Sequence, residues 1–284
     1  MLFGNEHEDF LYHYTSHSTL YNMVESGVVW ASNAYYMNDL NEVKYAFDMF
    51  THIVLNNIHT RRNKNLKYLL REIPEWVDDL LISPFNVFCF SLSEHGNLLS
   101  QWRAYTPHGT GVSIGLRKSD IKKYAEDNSL LFFKCCYDKK EQELLMQKVF
   151  DQIVRSFRRE FKAQKNEITY NEAIDFLEKF KSRLVREAIK IKDPAFYEEC
   201  EWRLVSILNE DSDVKINFRP GKTTLIPFVE FELKKFREDN WLFDHVYVGP
   251  SPNFRLSYHA ISEYIFQSGA CQEIINANQP YREL

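Results

Sequence analysis

The chain has 284 residues, of which 44% are hydrophobic and 15% aromatic, and its formal net charge is −5. This composition excludes an intrinsically disordered chain. The negative balance supplies no bulk positive field, so any nucleic-acid contact has to be local. The five cysteines are odd in number and form no C-x-x-C pair, which argues against a disulfide framework or zinc knuckle and suits reduced cytosolic thiols. MLFGNEHEDF lacks the basic start and apolar core of a signal peptide, and no apolar run approaches the roughly 20 residues of a membrane span. The expected location is the cytoplasm.

In chain order, FLYHYTS at 10 to 16 predicts a strand, followed by a helix capped by Ser18 and closed by Gly27, and VVWAS at 28 to 32 predicts a second strand. Residues 33 to 38 read as a Tyr-rich loop. Asp39 is a good cap for a helix through about Ile58, with Val43, Ala46, Phe47 and Phe50 at helical spacing. A further amphipathic helix is expected over 63 to 82, interrupted near Pro74. FNVFCFSLS (85 to 93) and GVSIGL (111 to 116) predict strands around a helical turn and loop, and SLLFFKCCY (129 to 137) is a third apolar run. Residues 139 to 192 are charged and periodic at 3.6, a helical insertion or subdomain. Strands return in EWRLVSIL, VKINF, TLIPFVEFEL and HVYVG, before a helix near 253 to 267. With no Pro/Gly/Ser linker, the reading is one α+β domain over 1–284 that carries the 139–192 insertion.

Several motif readings are weak on physical grounds. The glycines of GTGVSIG lead into an apolar strand pattern and not into a helix, so they do not fit a dinucleotide loop. His13 and His17 have helical spacing but no evident third ligand, and no metal site is expected. Cys135 and Cys136, inside an apolar run, suit core thiols better than catalytic ones. The residues that could carry chemistry are dispersed. They are His13; Tyr35, Tyr36, Asn38, Asp39 and Glu42; Ser91 and Ser93; Trp102 and Arg103; and Glu199, Glu201 and Arg203. Taken singly, each has a structural explanation as a cap, a solvated strand end or a core plug. Together they fall at junctions between regular elements, where folds place functional groups. If EWRLVSI alternates as a strand, Glu201 and Arg203 share a face and can form a salt bridge.

The segments LYHYTS…LYNMVESGVVWASNAYYMNDLNE, FCFSLSEHGNLLSQWRAYTPHGTGVSIGL, EECEWRLVS and HVYVGPS, in that order, resemble a bacterial family of uncharacterised domains that includes AbiGi-type abortive-infection proteins. Leu40 stands where that family usually has proline. The family is in turn distantly similar to ADP-ribosyltransferases, which cleave the nicotinamide–ribose bond of NAD. The resemblance implies an ADP-ribosyltransferase-like mixed or antiparallel sheet core with flanking helices. It implies NAD as co-substrate, bound by His13, Tyr14, Thr15 and Ser91, with Tyr35 and Tyr36 stacking on nicotinamide and Tyr45 as a further aromatic. Tyr14 departs from the glycine of the His-Gly-Thr pattern, and Ser91-Leu92-Ser93 echoes a Ser-x-Ser strand. Glu199-Cys200-Glu201 matches the E-x-E of the arginine-directed branch, making Glu201 the carboxylate that stabilises the ribosyl cation and Glu199 a general base toward the acceptor. Asn38, Asp39, Glu42, Trp102 and Arg203 would support the site.

The function expected from this resemblance is a toxin-like NAD-dependent ADP-ribosyltransferase of phage defence or a toxin–antitoxin unit. Its partners would be a protein or nucleic-acid acceptor and an antitoxin or other defence protein, with no membrane. The alternative is a non-catalytic module of the same fold that binds a nucleotide or a phage protein. A third reading, a metal-dependent nuclease, needs Asp39, Glu42 and Glu201 to converge on Mg²⁺.

Overall fold

A computed structural model describes residues 9–36, 41–82, 86–208, 212–237 and 241–278, without the side chains of 41 and 42. In chain order the elements are β1 (Phe10–Thr15), α1 (His17–Ser26), β2 (Val28–Asn33), α2 (Asn41–Ile58), α3 (Lys64–Ile82), β3 (Val87–Ser93) and α4 (Leu99–Tyr105). Next come β4 (Val112–Arg117), α5 (Lys118–Asp127), β5 (Leu131–Lys134), α6 (Lys139–Glu160), α7 (Tyr170–Glu178) and α8 (Lys181–Ala188). The chain ends with β6 (Glu201–Ile207), β7 (Asn217–Pro220), β8 (Leu225–Glu232), β9 (His245–Val248), α9 (Phe254–Ser268) and β10 (Glu273–Asn276). The architecture is mixed α and β, around one ten-stranded sheet.

The chain divides into two compact units. The first is Met1–Ala34, Val87–Lys134 and Glu198–Leu284, and it contains the whole sheet. The strand order is β10-β9-β4-β1-β3-β2-β8-β7, with β6 pairing to β3 and β5 pairing to β6. All the pairings are antiparallel except β9 with β10. Leu11, Phe88, Phe90, Leu92, Ile114, Leu204 and Phe231 contribute to its core, where α1 seats Leu20 and Met23. Burying such side chains contributes roughly 1.5–3 kcal/mol each.

The second unit joins Tyr35–Asn86 to Cys135–Tyr197. The helical segment expected over 139–192 therefore assembles with α2 and α3 and does not stand alone. Its neck is closed by a parallel bridge between Cys136 and Ile191 and by the fully buried Gln142, whose amide donates to the carbonyls of Cys136 (2.7 Å) and Lys192 (2.8 Å). The Trp76 indole N–H donates to Glu178 at 2.8 Å, linking α3 and α7.

Local departures from the sequence reading have identifiable causes. The N-cap of α1 is Ser16 and not Ser18; its extended backbone lets Oγ accept from Thr19 N–H at 3.0 Å. Gly27 closes the helix at φ 70°, as expected. Pro74 lies inside an unbroken α3. A helix-interior proline costs about 3 kcal/mol, but α3 buries Leu66, Leu69, Leu70, Ile73, Trp76, Val77 and Leu80, which offsets that cost. Cys135 is buried, and burial together with the neighbouring Glu141 pushes the Cys136 thiol pKa up, which suits inert thiols. Among the described residues, no helix is long and apolar enough to cross a membrane.

Candidate functional site

Strand β3 has one edge fully paired and one edge shared. Along one side it runs against β6 from Val87↔Ile207 to Ser93↔Glu201. On the other side β2 takes Phe88 and Cys89, and β1 takes Ser93 alone. The middle of that edge thus lies where β1 and β2 diverge, and a backbone carbonyl there needs a partner. His13 provides it, with Nδ1 3.0 Å from the Ser91 carbonyl oxygen. A carbonyl only accepts, so this bond places the proton on Nδ1. Burial holds the ring pKa below its ordinary value against the opposing effect of the same bond, which leaves Nε2 an acceptor in the neutral ring.

The divergence opens a cavity of about 230 Å³ walled by β1, α1, β2 and β7. His13, Thr15 and Phe90 form part of its lining. Helix α1 contributes Thr19, Asn22, Met23 and Ser26, which share one helical face. Sequence reasoning passed over that polar stripe, and it also missed Trp30, Ser32 and Arg219. Arg219 donates to Ser32 Oγ at 3.2 Å.

A second cluster surrounds the E-C-E segment. Glu201 and Arg203 are buried and form a two-pronged ion pair, with Nε to Oε1 and Nη2 to Oε2 both at 2.9 Å. Directly opposite residues on antiparallel strands point the same way, so Tyr12, Ser93 and Glu201 share one face through Tyr12↔Ser93 and Ser93↔Glu201. Arg203 and Ser91 lie on that face too. His13 follows Tyr12 and takes the other face, its ring 4.6 Å from that of Phe90. The fold therefore puts His13, Ser91 and Glu201 on three neighbouring strands without bringing His13 and Glu201 to one side. Glu199 precedes β6, separated from Glu201 by Cys200 at φ 42°. Its carboxylate accepts from Tyr105 Oη at 2.6 Å and its carbonyl from Ser93 Oγ at 2.8 Å. The Ser91 hydroxyl oxygen is buried and makes no hydrogen bond among the described residues.

The other predicted residues divide between frame and second unit. Tyr14 is buried; its hydroxyl donates to the His95 carbonyl at 2.5 Å and accepts from Leu98 N–H at 2.9 Å, and burial pushes its pKa up. It stands where the resemblance expects a nucleotide-contacting glycine, yet it braces the 95–98 turn. Trp102, fully buried, rests edge-on against Tyr14 and donates to Asn97 Oδ1 at 3.0 Å. Tyr35, buried, and Tyr36, exposed, form a 3-10 turn in the second unit, where Tyr45 donates to Gln142 at 3.2 Å. Asn38 and Asp39 lie outside the described residues, as does the side chain of Glu42. Among the described residues, no group of three or more His, Cys, Asp or Glu could hold a metal ion.

Residues 101–204 match the model of a family described as Protein of unknown function (DUF2971). The matched stretch runs from α4 to the middle of β6 and so includes Trp102, Glu199, Glu201 and Arg203. No curated protein and no solved structure matches the chain.

Proposed function

We propose that the protein is an NAD-dependent ADP-ribosyltransferase that transfers ADP-ribose to a protein or nucleic-acid acceptor and releases nicotinamide. The observation that carries this reading is the convergence of three segments far apart in sequence. H-Y-T on β1, S-L-S on β3 and E-C-E leading into β6 meet on adjacent strands, tied by His13 to the Ser91 carbonyl and by Ser93 to the Glu199 carbonyl. NAD supplies a glycosidic bond whose cleavage leaves positive charge on the ribose. His13 Nε2 is an acceptor suited to a ribose hydroxyl, and Thr15 lies beside it in the cavity wall. Glu201 keeps a rigid negative charge, because its pairing with Arg203 fixes both oxygens. Glu199 is only half-buried and sits before the strand, where it can take the proton of the attacking acceptor group. The toxin-like role in phage defence or a toxin–antitoxin unit, with an antitoxin or defence-system partner, follows from the family resemblance alone.

The same fold supports a second reading, a nucleotide-binding module without turnover. Its supporting observation is the opposite facing of His13 and Glu201, with the Glu201 charge already answered by Arg203. Nicotinamide release by the wild-type chain and by Glu199→Gln, each shown to be folded under the assay conditions, separates the two. The transferase reading expects release that falls in the variant. NAD binding without release in either protein selects the binding module, and release unaffected by the substitution removes Glu199 from the mechanism.

A further inference from the structure

The cavity between β1, α1, β2 and β7 has an unequal charge inventory. Arg219 brings a guanidinium with five donors, of which the described contacts use one, to Ser32 Oγ. Among the described residues, no carboxylate lines the cavity and the described ion pairs include none to Arg219. A half-buried guanidinium with no acid partner among the described residues suits an anion, since its planar fork matches phosphate oxygens. The remaining lining is equally selective. Phe90 and Trp30 supply aromatic faces, Trp30 being 41% exposed, while Asn22 and the hydroxyls of Thr15, Thr19 and Ser26 can address a sugar. At about 230 Å³ the space lies below the roughly 300 Å³ at which pockets for drug-sized ligands begin. It suits one half of a dinucleotide better than a whole one.

We propose that this cavity seats a single phosphorylated nucleoside moiety, with Arg219 on β7 holding the phosphate and His13 on β1 accepting a hydrogen bond from the sugar or base. The proposal deepens the NAD reading and rests on it only for the choice of nicotinamide mononucleotide as a probe. Arg219 then becomes the residue that distinguishes nucleotides from nucleosides.

The test is calorimetric titration of the full chain with nicotinamide mononucleotide, AMP, nicotinamide riboside, adenosine and inorganic phosphate. Wild type, Arg219→Met and Arg219→Lys are compared, with thermal unfolding confirming that each is folded. A charge-assisted hydrogen bond implies a loss of about 10- to 100-fold for the mononucleotides in Arg219→Met. Nucleoside affinity should stay within about twofold, and Arg219→Lys should fall between the two. Equal mononucleotide affinity in wild type and Arg219→Met overturns the proposal. So does failure of every mononucleotide to bind, or binding no tighter than that of inorganic phosphate. Arg219-dependent binding without nicotinamide release from NAD would leave this site standing and defeat the transferase. Nicotinamide release with an unchanged KM in Arg219→Met would do the reverse.

Discussion

Replacing Glu201 by Gln keeps the shape of the side chain but removes the negative charge that Arg203 grips with two hydrogen bonds. The two side chains are 6% and 4% exposed and joined by two hydrogen bonds of 2.9 Å, so solvent screens them little. Breaking such a pair on one side costs about 3–5 kcal/mol, because the surviving charge stays dehydrated. At about 2–4 °C per kcal/mol for chains approaching this size, the unfolding midpoint should drop by roughly 6–20 °C. Arg203→Met should cost a similar amount. The double variant Glu201→Leu/Arg203→Met should lose less than the sum of the singles, since neither charge of the pair then faces a neutral partner. Thermal and urea unfolding followed by far-UV circular dichroism, with Glu201→Leu as the matching single variant, reads wild type, Glu201→Leu, Arg203→Met and the double variant as a cycle. A Glu201→Gln midpoint equal to wild type, or a double variant as unstable as the sum of the singles, would refute the argument that this pair is a dry, mutually dependent unit. The result also governs how activity is read, because a loss of turnover in Glu201→Gln counts as catalytic only where the variant remains folded.

Three further outcomes follow from single positions. Burial holds the His13 pKa below 6.5, so the unfolded chain binds this proton first; the stability His13 contributes is complete above pH 6.5 and is lost as pH falls through the native value. His13→Gln should therefore flatten the decline in unfolding midpoint between about pH 6.5 and pH 5, and an unchanged decline would reject that assignment. Cys200 sits at φ 42°, which costs a non-glycine residue about 1–2 kcal/mol; after glycine's own entropic cost of about 0.5–1 kcal/mol, Cys200→Gly should be neutral to about 1.5 kcal/mol stabilising in urea unfolding. A side chain added at Gly115 would come within 2.5 Å of the buried His245 ring, so Gly115→Ala should destabilise by about 1–3 kcal/mol, and an unaltered midpoint would show that His245 moves freely.

What could be read ahead of the structure was local. The apolar runs around Leu11, Phe90 and Leu204, the αL position of Gly27 and the shared face of Glu201 and Arg203 all depend on residues within a few positions of one another. The helix α5 escaped notice because it is short and heavily charged, burying only Ile121, Tyr124 and Ala125. The four-residue β10 is stabilised by parallel pairing with a strand almost 30 residues earlier, which its own sequence does not declare. The site followed the same rule. That H-Y-T, S-L-S and E-C-E meet on neighbouring strands came from their joint resemblance to a known order of motifs. That His13 and Glu201 take opposite faces depends on the Tyr12↔Ser93 register, and a shift of one residue would reverse it. Arg219 was invisible for a similar reason, since NFRP becomes a cavity wall only through the pairing of β7 with β8 and of β8 with β2.

The most direct measurement is the fate of NAD labelled in its adenylate half, incubated in cell lysate with the wild-type chain and with folded Glu199→Gln. The expected result is nicotinamide release together with label on protein or RNA, the label lost and the release reduced in the variant. An intact NAD pool in the presence of wild-type protein and lysate acceptors would contradict the transferase and leave a nucleotide-binding module in its place.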